Sequence, residues 1–242
     1  MENPAIKRIK AFQEDNAERL AEVSYEKATY NGVIQKELAM LVLVIAAAAG
    51  VIATGYATPV AVLVSSVMAL VTGLVISFKP TFAPTLTPAY AILEGMALGG
   101  LSYMLEMEYP DIVIQAVMLT FAVALGALFV FGKGIVKVDS TFVKVTTTAL
   151  FTVLIFSIGK LVAAYFFGVN FEFFESGIVG IMIDVLVIGV ATMSLFVDYE
   201  QIKETVEAGL PKEYEWVCAF SLLVTLIWLY IRILELLRTM RK

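Results

Sequence analysis

Residues 59–78 read PVAVLVSSVMALVTGLVISF, twenty consecutive positions without one charged side chain. A helix of about that length spans the roughly 30 Å hydrocarbon core of a bilayer. Working outward from this block, further apolar stretches fall at roughly 38–56, 88–107, 111–132, 141–168, 177–198 and 214–237, seven in all. The intervals are built of turn formers: Ala57-Thr58-Pro59, Lys79-Pro80 through Pro88, Glu108-Tyr109-Pro110-Asp111, Gly132-Lys133-Gly134, Val169-Asn170 and Gly209-Leu210-Pro211. The first two blocks are joined too tightly for anything but an antiparallel hairpin, as are the third and fourth. The pattern predicts an all-α, polytopic membrane protein, a single seven-helix bundle over 38–242.

Composition agrees. The chain has 242 residues, of which 60% are apolar and 16% charged. Soluble domains run about 45–50% apolar and about 25% charged. Seven acids and six bases crowd into residues 1–37, leaving the remainder greasier still. In that segment Ile6, Ile9, Phe12, Leu20 and Val23 recur about every third position. This spacing fits an amphipathic helix lying on the membrane, and equally a polar tail.

Other classes are excluded. With no histidine, Ser-His-Asp, Cys-His and His-ligated zinc chemistry are absent. The single Cys218 makes no internal disulfide. A net charge of −5 argues against a nucleic-acid partner. No Gly-x-Gly-Asp string marks an intramembrane aspartyl protease, and the last block has no lysine for a retinal Schiff base. The chain is expected to be no enzyme and to need no cofactor.

Lys and Arg on alternate sides count eleven against three, which puts the N-terminus in the cytoplasm of an inner (cytoplasmic) membrane protein. The three on the minority side, Arg238, Arg241 and Lys242, sit at the C-terminus and oppose that rule if the last block crosses.

An ionisable group at the bilayer centre costs about 2.5–3.5 kcal/mol on insertion scales, so it points to function or to pairing. The candidates are Glu94, Lys160, Asp184, Asp198, Arg232 and Glu235. Asp184 and Asp198 are fourteen residues apart, nearly four turns, hence on one helix face about 21 Å apart along the axis. Gly189, Ala191, Thr192 and Ser194 between them suit close packing or a wet path. Asp198 would lie at the inner end of its span, and Arg232 at the depth of Asp184, within reach of an ion pair. Arg232 and Glu235 are also i, i+3 neighbours able to pair with each other. Gly95 and Gly99 form a small-xxx-small seam beside Glu94. Out of water, that carboxyl would serve as a hydrogen-bond donor or as a proton-responsive switch.

Pro88-Ala89-Tyr90-Ala91-Ile92-Leu93-Glu94-Gly95, Tyr109-Pro110-Asp111-Ile112, Leu195-Phe196-Val197-Asp198-Tyr199-Glu200-Gln201-Ile202 and Glu207-Ala208-Gly209-Leu210-Pro211 resemble the bacterial Bax inhibitor/YccA-like membrane family over roughly residues 30–240. The resemblance implies seven helices with the last one central, and a pH-sensitive calcium leak. It further implies a proton-sharing aspartate pair, one ending the sixth helix and one in the seventh. Asp198 matches the first. The second is missing: alignment from Tyr214-x-Trp216 puts Val224 there, and alignment on Leu229-Tyr230 puts Arg232. The expected function is a Ca²⁺ or other cation leak gated by Asp198, with Glu94 and Asp184. Ionised carboxylates attract a hard cation that takes oxygen ligands. The alternative is a non-conducting regulator that binds another membrane protein, such as a quality-control protease, through the tail and the acids Glu200, Glu204, Glu207, Glu213 and Glu215.

Overall fold

The computed structural model describes residues 26–168 and 177–241, so the amphipathic reading of the tail before residue 26 and the turn at Val169-Asn170 lie outside the described residues. Among the described residues there are seven long helices: α1 (Tyr30–Ala53), α2 (Pro59–Phe78), α3 (Ala83–Glu108), α4 (Ile112–Gly132), α5 (Ser140–Phe167), α6 (Gly177–Glu207) and α7 (Tyr214–Arg241). A 3-10 turn, Pro80–Phe82, leads into α3.

Local chemistry sets several of the starts. Thr29 accepts from the Gly32 N–H at 3.0 Å, Thr58 from Ala61 at 3.2 Å and Asp139 from Phe142 at 2.7 Å, each closing an N-terminal turn whose amides have no partner within the helix. Glu106 does the same from a distance. Its carboxylate takes the amides of Asp111 (2.7 Å) and Val113 (3.0 Å), so it caps the next helix.

Six of the seven helices are long and apolar enough to cross a membrane, which makes the chain a multi-pass membrane protein. The exception is α3, expected to be a span like the others. It carries Pro84, Pro88, Thr85, Thr87 and Glu94, and it is shielded by protein on several sides. A helix that faces other helices does not need a lipid-like sequence. Both α1 and α2 pack chiefly on α3, so the tight turn between them makes them antiparallel without making them a packed hairpin. The α3–α4 pair is likewise only lightly packed.

The last helix is central: α7 packs on α6, α1, α4 and α3. Leu223, Leu229 and Leu234 along it are fully buried. The Tyr230 hydroxyl bonds Ser102 of α3 at 2.7 Å, and Tyr199 of α6 donates to the Ala124 carbonyl of α4 at 3.0 Å. By contrast α5 packs chiefly on α6 and turns an apolar surface outward, including Phe151, Ile155 and Ile158.

Two boundaries differ from the sequence expectation, and both matter. The first helix begins at Tyr30 rather than near 38, which brings Lys36 and Glu37 into it. The sixth continues nine residues past Asp198 to Glu207. At 1.5 Å per residue, Asp198 therefore lies about 14 Å inside the helix end instead of at it.

Candidate functional site: two polar cavities in an apolar bundle

Asp198 is buried. Ser221 of α7 donates to its Oδ1 at 2.6 Å, and Thr225, one turn further on, also approaches the carboxyl. Its Oδ2 is buried without a hydrogen-bond partner among the described residues. The carboxyl borders a cavity of about 570 Å³ between α2, α3, α5, α6 and α7. Glu94 borders the same cavity, together with Tyr90, which hydrogen-bonds Glu94 across one helical turn. Thr146 of α5 adds a hydroxyl oxygen that is likewise buried and unpartnered. Two buried oxygens with unmet bonding capacity among the described residues, both bordering one cavity, call for water or a cation, because an unsatisfied buried polar atom costs about 1–3 kcal/mol.

The backbone holds Glu94 in place through its glycines. A Cβ on Gly95 would lie 2.4 Å from the Val44 carbonyl oxygen, and one on Gly99 would lie 2.6 Å from Ala48 Cα. The small-xxx-small seam thus faces α1, which runs parallel to α3 in matching four-residue steps. Gly189 has no such contact: a Cβ there would meet nothing within 4 Å. Thr192 and Ser194 donate to carbonyls one turn back in their own helix, at 2.8 and 3.1 Å.

Asp184 does not share the Asp198 cavity. It lines a second one, of about 350 Å³, between α5, α6 and α7, with Lys160, Arg232, Glu235, Arg238 and Thr239. Arg232 pairs with Glu235 at 2.6 Å, and the Thr239 hydroxyl donates to Asp184 at 2.9 Å. Arg232 and Asp184 thus border one cavity, but the α7 side chain that bonds Asp184 is Thr239, seven residues further along the helix, while Arg232 pairs with Glu235. Of the C-terminal bases, Arg238 borders this cavity, and Arg241 donates to the Pro110 carbonyl and the Gln115 side chain at 2.7 and 2.8 Å.

Two carboxylates outside the set of intramembrane acids read from the sequence are buried. Glu37 of α1 has neither oxygen partnered among the described residues and lies within electrostatic reach of Asp198. Val224, one of the two positions aligned with the second family aspartate, lines the cavity beside Asp198, while the other, Arg232, lines the second cavity. Glu215 is the second of these buried carboxylates. It belongs to no solvated acidic face, since it is buried, accepts from the Thr29 amide (2.8 Å) and hydroxyl (3.1 Å), and pairs with Lys36. Around it, residues 26–29 are clipped to the α6–α7 connection by Ala28 N–H to Leu210 O (2.7 Å) and Lys212 N–H to Glu26 O (2.8 Å). A search for acids within uncharged blocks passes over Glu37, since Lys36 and Glu37 look like the edge of the tail.

The family model for Bax inhibitor 1 like proteins matches residues 3–242. The chain belongs to that family. No curated protein and no solved structure matches it.

Proposed function

We propose that this Bax inhibitor 1-like protein is a non-enzymatic, seven-span leak path for a hard cation in the cytoplasmic membrane, Ca²⁺ by the family likeness, with its N-terminus on the cytoplasmic side. The observation that supports it is the cavity of about 570 Å³ bordered by carboxylates from two helices, Asp198 and Glu94, with unpartnered oxygen at Asp198 Oδ2 and Thr146 Oγ1. Carboxylate and hydroxyl oxygens are the ligand types that Ca²⁺ takes. In a low-dielectric bundle an ionised carboxylate lowers the barrier to a cation far more than it would in water. Protonation removes the charge and one ligand together.

Gating in this reading is a change of protonation at Asp198, felt by Glu37 from α1 and Glu94 from α3. Two neighbouring buried carboxylates titrate as a unit. A proton taken up by either one neutralises part of the path. Asp184, in the second cavity, takes no part in that coupling; it marks the far half of α6.

The test is Ca²⁺ flux from proteoliposomes across pH. Asp198→Asn is a constitutively neutral mimic of the protonated side chain. It should conduct weakly and show a flat pH profile where the unaltered protein loses flux on acidification. An Asp198→Asn variant that keeps the normal pH profile refutes the gating role.

A further inference from the structure

The cavity that carries Asp198 and Glu94 is walled mostly by hydrocarbon, with Leu70 and Leu74 of α2, Leu150 of α5 and Val217, Phe220 and Val224 of α7. A hard cation uses only oxygen ligands, so this apolar wall is a separate observation. At about 570 Å³ the cavity has the size of a site for a small organic molecule, and its lining is of the same kind, apolar with a few placed polar atoms.

The cavity also opens sideways. Among the described residues α2 packs chiefly on α3 and α5 chiefly on α6, and no substantial contact joins α2 to α5. Leu70 and Leu74 border the cavity and yet are 62% and 47% exposed, and Thr147 of α5 is exposed as well. Side chains that line a cavity and remain open to the outside mark its rim. Both leucines belong to a helix apolar enough to cross the membrane, so this rim opens into hydrocarbon.

Inside, the polar atoms are acceptors. Asp198 Oδ2 from α6 and Thr146 Oγ1 from α5 are buried without a hydrogen-bond partner among the described residues, and the Glu94 carboxyl comes from α3. Two carboxylates and no Lys or Arg line the cavity among the described residues, so its charge favours a cationic head. A primary ammonium brings three N–H donors and no acceptor, which suits oxygens presented from three helices.

We propose that this cavity binds a single-chain amphiphile with a primary ammonium head, admitted from the bilayer between α2 and α5. Its head meets Asp198 and Thr146, and its chain lies against Leu70, Leu74 and Phe220. The ligand and a permeating cation would compete for Asp198, but binding requires no conduction.

The experiment uses the purified full-length protein in a nonionic detergent at pH 8, where an alkylamine is protonated as a lysine is. Binding is read by native mass spectrometry and by thermal melting, neither of which depends on ion flux. The probes are dodecylamine, dodecyltrimethylammonium with the same chain and charge but no N–H, and dodecanoate. Dodecylamine is expected to bind and raise the melting temperature. Dodecyltrimethylammonium should bind about tenfold or more weakly, the scale of losing a charge-assisted hydrogen bond, and dodecanoate more weakly still. Asp198→Asn should weaken dodecylamine by a similar factor. Leu74→Trp, which fills the rim, should weaken it too, whereas Leu63→Trp, exposed on the same helix away from the cavity, should not. Equal binding of dodecylamine and dodecyltrimethylammonium overturns the proposal. So does dodecylamine binding indifferent to Asp198→Asn and Leu74→Trp, once both variants are shown to melt cooperatively. A protein that leaks Ca²⁺ yet binds no dodecylamine overturns this proposal alone, and one that binds the amine without leaking overturns only the cation path.

Discussion

Replacing Gly99 by alanine should loosen the seam on which α3 carries Glu94. The added Cβ would lie 2.6 Å from Ala48 Cα and 2.7 Å from its carbonyl oxygen, whereas ordinary contact starts near 3.4 Å. The shortfall is about 0.8 Å, and because both obstructing atoms are backbone, α1 must retreat as a unit. Overpacking of this kind costs about 1–3 kcal/mol. Removing a helical glycine returns about 0.5–1 kcal/mol through the unfolded chain. The net is a loss of about 1–2 kcal/mol, or a melting temperature lower by roughly 2–8 °C for a chain of this size. The control is Gly126→Ala on α4, where a Cβ meets nothing within 4 Å and the glycine correction acts alone. Melting of both variants in the same detergent is the assay. Gly99→Ala melting at or above the unaltered protein, with Gly126→Ala behaving as expected, would mean that α1 and α3 are not in this close contact.

Glu37→Leu removes a buried carboxyl that has no hydrogen-bond partner among the described residues, and should stabilise the protein by about 1–3 kcal/mol in detergent melts at pH 8 while displacing the pH midpoint of flux, since Asp198 loses its neighbour. A lower melting temperature would show that Glu37 is satisfied in the membrane protein after all. Glu215→Ala leaves the Thr29 amide and the Lys36 ammonium without their acceptor and should cost about 3 kcal/mol, the lower end of the range for a broken buried pair because Lys36 can turn to solvent. Faster hydrogen exchange confined to residues 26–36 and the 207–214 connection is the expected readout.

The bundle was legible wherever charge and apolarity coincide with helix ends. The block 59–78 is α2 to the residue, and 111–132 is α4 within one, because Thr58-Pro59 and Asp111 stand at the starts. The first helix was placed eight residues late because Lys36 and Glu37 read as water-facing, whereas one is neutralised by Glu215 and the other is buried near Asp198. Partners 179 residues apart leave no local trace. The sixth block ends at Asp198 because the stretch beyond it is charged, with Glu200, Lys203, Glu204 and Glu207. The mixed stretch Tyr199 to Glu207 continues the helix all the same, burying Tyr199 and Thr205 and pairing Glu200 with Lys203. Asp198 and Glu94 were legible as sparse intramembrane acids. Their meeting on one cavity, and the removal of Asp184 to another, depend on how α5 leans against α6, and no pattern in α5 encodes that.

The most direct measurement of the cation path is Ca²⁺ efflux from liposomes containing this protein alone, followed from pH 8 to pH 5. Flux above protein-free liposomes at the alkaline end, falling as the carboxyls of Asp198 and Glu94 take up protons and abolished in the Asp198→Asn, Glu94→Gln double variant, is the predicted result. Liposomes as tight as protein-free ones at every pH, or a double variant that leaks as fast as the unaltered chain, would contradict it.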